Sequence, residues 1–216
     1  MIKPTHRDRV FKALINSLLP GTSDAKVVGS NLFLIVDFIN RIGQNGTMAA
    51  GVRTQYAELN LEAGIRAMDA TDFVSAVKYL EAGLSFLDGD NWKEHYQLSL
   101  QLFQNAALAL STTGNFDLMV KRTNTVFAEA LCFEDKIDSY NILIKSLSLR
   151  SIRNETFEKG FFVLEQLGET FPSIVDRNVG VKEMLEVKAS LKNISIESIA
   201  DFPRMTDHLR IAGMVS

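Results

Sequence analysis

Apolar residues recur three and four positions apart through most of the chain, the spacing of one face of an α-helix. His6 to Leu19 sets Val10, Phe11, Leu14, Ile15 and Leu18 on one face and ends at Pro20-Gly21. A second apolar helix is predicted over about 30–43, stopped by Gly43-Gln-Asn-Gly46. Three long helical pairs follow, predicted at 52–69 with 72–87, 93–112 with 115–130, and 135–152 with 154–168. Short polar breaks divide the pairs at Ala70-Thr71, Thr113-Gly114 and Arg153. After Pro172 the pattern weakens to one helix around 180–192 and a short one around 195–201. The reading is an all-α protein in three parts: an N-terminal helical segment 1–46, helical repeats 52–172 and a C-terminal helical extension 173–216.

The pairs repeat. Phe73, Phe116 and Phe157 follow the breaks, at spacings of 43 and 41 residues, within the range of helix–turn–helix repeats. Registering three copies on these residues aligns Gly64, Ala107 and Ser148 in the first helix and Ala76, Met119 and Gly160 in the second. Small side chains there let paired helices approach closely, while Leu80, Leu84, Phe127 and Leu164 fill the space between repeats. The predicted architecture is a tetratricopeptide-like array of about three antiparallel pairs; an ordinary helical bundle is the alternative. At Gly64, leucine is expected to overpack the contact and alanine to be mild.

If the first helix of each pair lines the concave face, that register turns a defined set of side chains inward. They are Glu58, Leu61, Ile65 and Met68 in the first copy, Gln101, Gln104, Leu108 and Ser111 in the second, and Ile142, Lys145, Leu149 and Ile152 in the third. Such a mixed surface suits an extended peptide or a partner helix. The same residues could instead pack against the helices at 6–19 and 30–43.

Composition narrows the class. With 216 residues, 46% hydrophobic and 23% charged, the chain can bury a sizeable core, and four prolines fit long helices. A net charge of −3 with mixed signs lacks the footprint of a nucleic-acid binder. The single cysteine, Cys132, excludes an intrachain disulfide, fits a reducing compartment and is expected as a buried small hydrophobe. The N-terminus has no signal-peptide core, and Asn31 to Asn40 is too short to span a bilayer and contains Asp37. A cytoplasmic protein is expected, for which the Asn-x-Ser/Thr matches at Asn45, Asn154 and Asn193 carry no meaning.

Several ordered segments bear a resemblance: His6-Arg-Asp-Arg-Val10, Leu32-Phe-Leu-Ile-Val-Asp-Phe-Ile-Asn40, Ala57-Glu-Leu-Asn-Leu-Glu-Ala-Gly64, Ala76-Val-Lys-Tyr-Leu-Glu-Ala-Gly83-Leu84, Leu167-Gly-Glu-Thr-Phe-Pro172 and Ile196-Glu-Ser-Ile-Ala-Asp-Phe-Pro-Arg-Met-Thr-Asp207. Together they resemble the helical region after the nucleotide-binding core of AAA/STAND-type ATPase modules in multidomain signalling kinases. In that family a protein kinase domain precedes the ATPase, and GAF and histidine-kinase domains often follow its repeats. The resemblance implies a fragment or shortened relative of such a protein, with an incomplete connection between Leu19 and Asn31. It also implies an alternative function, as part of an ATP-binding signalling kinase whose catalytic residues lie elsewhere.

Candidate chemistry fails on spacing. No G-x-x-x-x-G-K-[ST] loop is present to cradle phosphates. His6-Arg7-Asp8 matches the kinase catalytic triplet, but Ala13 stands where the magnesium-binding asparagine belongs. Asp88-Gly-Asp90-Asn-Trp-Lys-Glu94 lacks the glycine and terminal glutamate of a calcium loop and is expected to be a turn in which Asp90 or Asn91 caps a helix beginning near Trp92. His6, His95 and His208 are isolated. The expectation is a chain that is no enzyme, without cofactor or metal: a scaffold that binds a protein or peptide and relays a signal, with neither nucleic acid nor membrane as partner.

Overall fold

The computed structural model describes residues 25–43, 50–87, 90–169, 177–192 and 194. All regular structure among them is helical. In chain order the elements are α1 (Ala25–Gly43), α2 (Ala50–Asp69), α3 (Phe73–Phe86), a single turn α4 (Asn91–Glu94), α5 (Tyr96–Thr112) and α6 (Phe116–Glu129). A 3₁₀ turn (Glu134–Lys136) then leads into α7 (Ile137–Leu149), followed by α8 (Arg153–Gln166) and α9 (Arg177–Leu191). The helices expected at 6–19 and 195–201 lie outside the described residues. The helix expected over 93–112 is interrupted at His95, whose φ of −135° separates α4 from α5.

Four helices end the same way. Thr71, Gly114, Ser151 and Gly168 have positive φ, between 60° and 87°. The next residue's amide closes back across the last turn: Asp72 onto the carbonyl of Ala67, Asn115 onto Leu110, Ile152 onto Leu147 and Glu169 onto Leu164. This is the 6→1 bond of a Schellman motif, which satisfies a carbonyl that the helix end would otherwise orphan. In the first two pairs the next helix is capped at once. Asp72 accepts from the Ser75 amide at 3.1 Å and Asn115 from the Leu118 amide at 3.4 Å.

These ends correct the third repeat. Phe73 and Phe116 open their helices, but α8 begins at Arg153, so Phe157 lies one turn inside it and is exposed. The break comprises Arg150, Ser151 and Ile152 rather than Arg153. Counted from the left-handed residue, the partner of Gly64 and Ala107 is Ile144, which is buried, and not Ser148, which is exposed. Gly160 likewise is no close-contact point, because a Cβ there would meet nothing within 4 Å.

The contacts fall into two compact units, 1–146 and 147–216, divided inside the last turn of α7. The first unit holds α1, the α2/α3 and α5/α6 pairs and most of α7. The two helices of the expected third pair, α7 and α8, therefore fall mainly in different units.

In the first unit α2 packs against α3, α3 against α5 and α5 against α6. The α2/α3 pair closes on glycines. Gly64 faces Leu80, and Gly83 faces Ala57 and Asn60 of its own pair and Leu102 of the next. Helix α1 adds Leu32, Ile35, Val36 and Ile39 to the core formed by Tyr56, Leu61, Tyr79 and Leu80. It is also held by a reciprocal amide pair, in which Asn40 and Asn60 each donate to the other's Oδ1 at 2.9 Å. Asn60, fully buried, donates again to the Tyr56 carbonyl. Further along, Arg122 of α6 forms a two-pronged ion pair with Glu81 of α3, while its guanidinium lies 5.6 Å from the Phe103 ring centre.

In the second unit, α8 exposes Phe157, Phe161 and Phe162, and α9 exposes all its described side chains. Leu147 and Val163 are its buried apolar residues among those described.

Candidate functional site

Helices α5 and α7 of the first unit enclose a cleft of about 310 Å³. From α5 it is lined by Gln104, Asn105, Leu108 and Ser111, and from α7 by Asp138, Asn141, Ile142 and Lys145. On each helix these residues recur at three- and four-residue steps, so the lining is one continuous face of each element. Leu108, 44% exposed, and the half-buried Ile142 supply its large apolar side chains.

The cleft is braced at both ends. At one, Gln104 donates its amide to the Asp135 carbonyl at 2.8 Å. The same loop is held by Tyr96, whose hydroxyl donates to the Asp135 carboxylate and accepts from the Leu131 amide. Burial, followed by that carboxylate, raises the Tyr96 pKa, so the hydroxyl keeps its proton and remains a donor. At the other end the hydroxyls of Ser111 and Ser146 bond to each other at 2.7 Å. Phe127 of α6 stacks on Tyr140 of α7 with centroids 4.2 Å apart.

Five of the residues expected in a groove meet here: Gln104, Leu108, Ser111, Ile142 and Lys145. The others do not. Glu58 and Gln101 are exposed outside the cleft, Leu61 is buried in the core that α1 shares, and Met68 packs on that core. Ile65 is 37% exposed on α2. Leu149 is 85% exposed and Ile152 occupies the position before α8 without a side-chain cap bond; both belong to the second unit. For the first copy, then, Leu61 and Met68 follow the alternative of packing with the helix near 30–43.

Counting from Thr71, Gly114 and Ser151 brings equivalent positions together as Glu58, Gln101 and Asp138; Leu61, Gln104 and Asn141; and Ile65, Leu108 and Lys145. Asp138 and Asn141 were missed because the third copy was registered four residues late. The usable signal was the apolar pair Leu147 and Ile152, the spacing that often accompanies a Schellman end. Asn105 lies one residue from an expected position, and its Nδ2 is engaged by the Gln101 carbonyl of its own helix.

Asp138 and Lys145 are exposed and have no ion-pair partner among the described residues. Two helical turns part them, about 10 Å along the axis, too far for them to share a proton. Elsewhere, Cys132 is exposed, against the expectation of a buried residue, because it sits in the loop after α6 rather than on a helix face. The Asp135 amide pulls its thiol pKa down, but the carboxyls of Asp135 and Glu134 together with burial outweigh it, leaving the thiol above its ordinary value. Asp90 occupies the cap position of α4 without a side-chain cap bond, its carboxylate instead holding Lys93 at 2.8 Å. His95 contacts the Thr54 hydroxyl at 3.1 Å. Residues 6–8 and His208 lie outside the described residues. No described helix is long and apolar enough to cross a membrane.

Comparison with protein-family models, with curated proteins and with solved structures finds no match to this chain.

Proposed function

We propose that the chain is a non-catalytic, tetratricopeptide-like scaffold that binds a segment of a partner protein in the α5–α7 cleft. The single observation behind this is the convergence of Gln104, Leu108, Ser111, Ile142 and Lys145 on one braced concavity. A polar rim around two apolar side chains, with the exposed Lys145 beside them, offers polar contacts and a seat for a side chain, a combination suited to peptide recognition. The resemblance of the ordered segments to the helical region of signalling ATPases suggests a role in signal relay. The single cysteine supports a cytoplasmic setting.

A photo-crosslinking phenylalanine analogue at Leu108 tests the assignment. It should trap one discrete protein in cell extract, and Lys145→Glu should abolish the adduct. The same analogue at Val74, 74% exposed on α3, should trap none. Equal labelling at both positions would refute the assignment of the cleft.

A further inference from the structure

The cleft is electrically asymmetric. On α7, Asp138 stands at the end near the Gln104–Asp135 brace and Lys145 at the end near the Ser111–Ser146 brace. Leu108 and Ile142 lie between the two charges along the cleft. Neither charge is neutralised by an ion pair among the described residues, so each is available to a ligand group of opposite sign. We propose that the occupant of the cleft is an extended peptide carrying a basic and an acidic side chain three residues apart, the basic one against Asp138 and the acidic one against Lys145. An apolar residue between them, turned about 120° from the charged pair, packs toward Leu108 on the opposite wall. This rests on the assignment of the cleft as a peptide-binding site and adds the charge, spacing and conformation of the ligand.

Spacing selects the three-residue step. Two turns of α7 separate the charges by about 10.5 Å. A polyproline-type chain returns to the same face every third residue, after about 9.3 Å. A β-strand returns every second residue, so its same-face side chains fall at about 6.7 or 13 Å and match poorly. A partner helix would match only with its charges seven residues apart, a spacing that no hexapeptide below carries, so a helical occupant would show as failure of all four to bind. The cross-helix bonds at the two ends of the cleft hold the charged positions in place before binding, which lowers the ordering cost of capture.

Four fluorescein-labelled, capped hexapeptides test this by anisotropy against the full chain: Ala-Lys-Pro-Leu-Glu-Ala, Ala-Glu-Pro-Leu-Lys-Ala, and the two like-charge versions with Lys or Glu at both charged positions. One mixed-charge peptide should bind at least tenfold more tightly than the other three, its residue order reporting the direction of the bound chain. In Asp138→Lys with Lys145→Glu the preference should pass to the peptide of opposite order. Both changes replace exposed side chains, and an unchanged circular dichroism melt confirms that the variant is folded. Equal binding of like- and mixed-charge peptides, or an order preference that does not reverse, overturns the proposal. So does failure of all four peptides to bind. In either case adduct formation at Leu108 still judges separately whether the cleft binds a protein.

Discussion

Replacing Gly64 by alanine gives a sharp test of the close contact between α2 and α3. Sequence reasoning expects a mild or helpful change, because alanine is favoured over glycine inside a helix by about 0.8–1 kcal/mol. The structure reverses that sign. A Cβ on Gly64 would stand 2.5 Å from Cγ and 2.6 Å from Cδ2 of Leu80, where carbon atoms prefer about 3.5–4.0 Å. The obstructing Cγ is a branch point, and Leu80 is fully buried, so relief requires the two helices to part by about an ångström. Such overpacking typically costs about 1–3 kcal/mol. Set against the propensity gain, Gly64→Ala should destabilise by about 1 kcal/mol, or about 2–4 °C in Tm for a chain of this size. Gly51→Ala, in the first turn of the same helix with nothing within 4 Å of the new Cβ, is the uncrowded control and should be neutral or stabilising. Urea denaturation of Gly64→Ala, Leu80→Ala and the double variant completes a cycle. Leu80→Ala alone should cost about 2–5 kcal/mol. Because the new methyl then enters vacated space, the double variant should be more stable than the sum of the singles by about 1–3 kcal/mol. A Gly64→Ala midpoint raised as far as that of Gly51→Ala, with no coupling to Leu80, would refute the contact.

Thr71 holds a β-branched side chain at a φ of 61°, so Thr71→Gly should stabilise by about 1 kcal/mol in the same assay, whereas Gly114→Ala, at 78°, should destabilise by a similar amount. Hydrogen bonds from Ser75 hold the Asp72 carboxyl below its ordinary pKa; its folded value is thus lower than its unfolded value of about 3.9, and its contribution is present above that pH and lost as pH falls through the depressed value. Asp72→Asn keeps an acceptor oxygen, so its melting temperature should change less than the parent's between pH 5 and 3, as followed by circular dichroism. Purified chain with ATP and magnesium should release no phosphate and incorporate none into itself; turnover that persists through repurification and disappears in Asp8→Ala would overturn the non-catalytic assignment.

The helix order was legible because the apolar period is strong, and the first two pair boundaries because Thr71 and Gly114 are each followed by an Asx cap and a phenylalanine. The third boundary was obscured by chemistry: Ser151 adopts the left-handed conformation without glycine, Ile152 offers no side-chain cap, and Phe157 repeats the phenylalanine signal one turn late. A shift of four residues turns a helix face by only about 40°. Ile142 and Lys145 therefore still reached the cleft from a displaced register, while Asp138 and Asn141 did not. Leu61 could not be assigned from periodicity, since an apolar side chain on the inner face looks the same whether it awaits a ligand or lies in a core shared with α1.

The Asn40–Asn60 pair determines how far α1 can wander along the surface that receives it. An apolar helix face tolerates sliding by a turn, because one branched side chain replaces another with little change in buried area. The amides allow no such substitution: a slip of one turn would set Val36 opposite Asn60 and strip a fully buried side chain of two of its three bonds. Leaving those groups without partners costs about 1–3 kcal/mol each, more than the difference between two greasy registers. The amide pair thus works as a detent, giving an otherwise slippery helix a single axial stop.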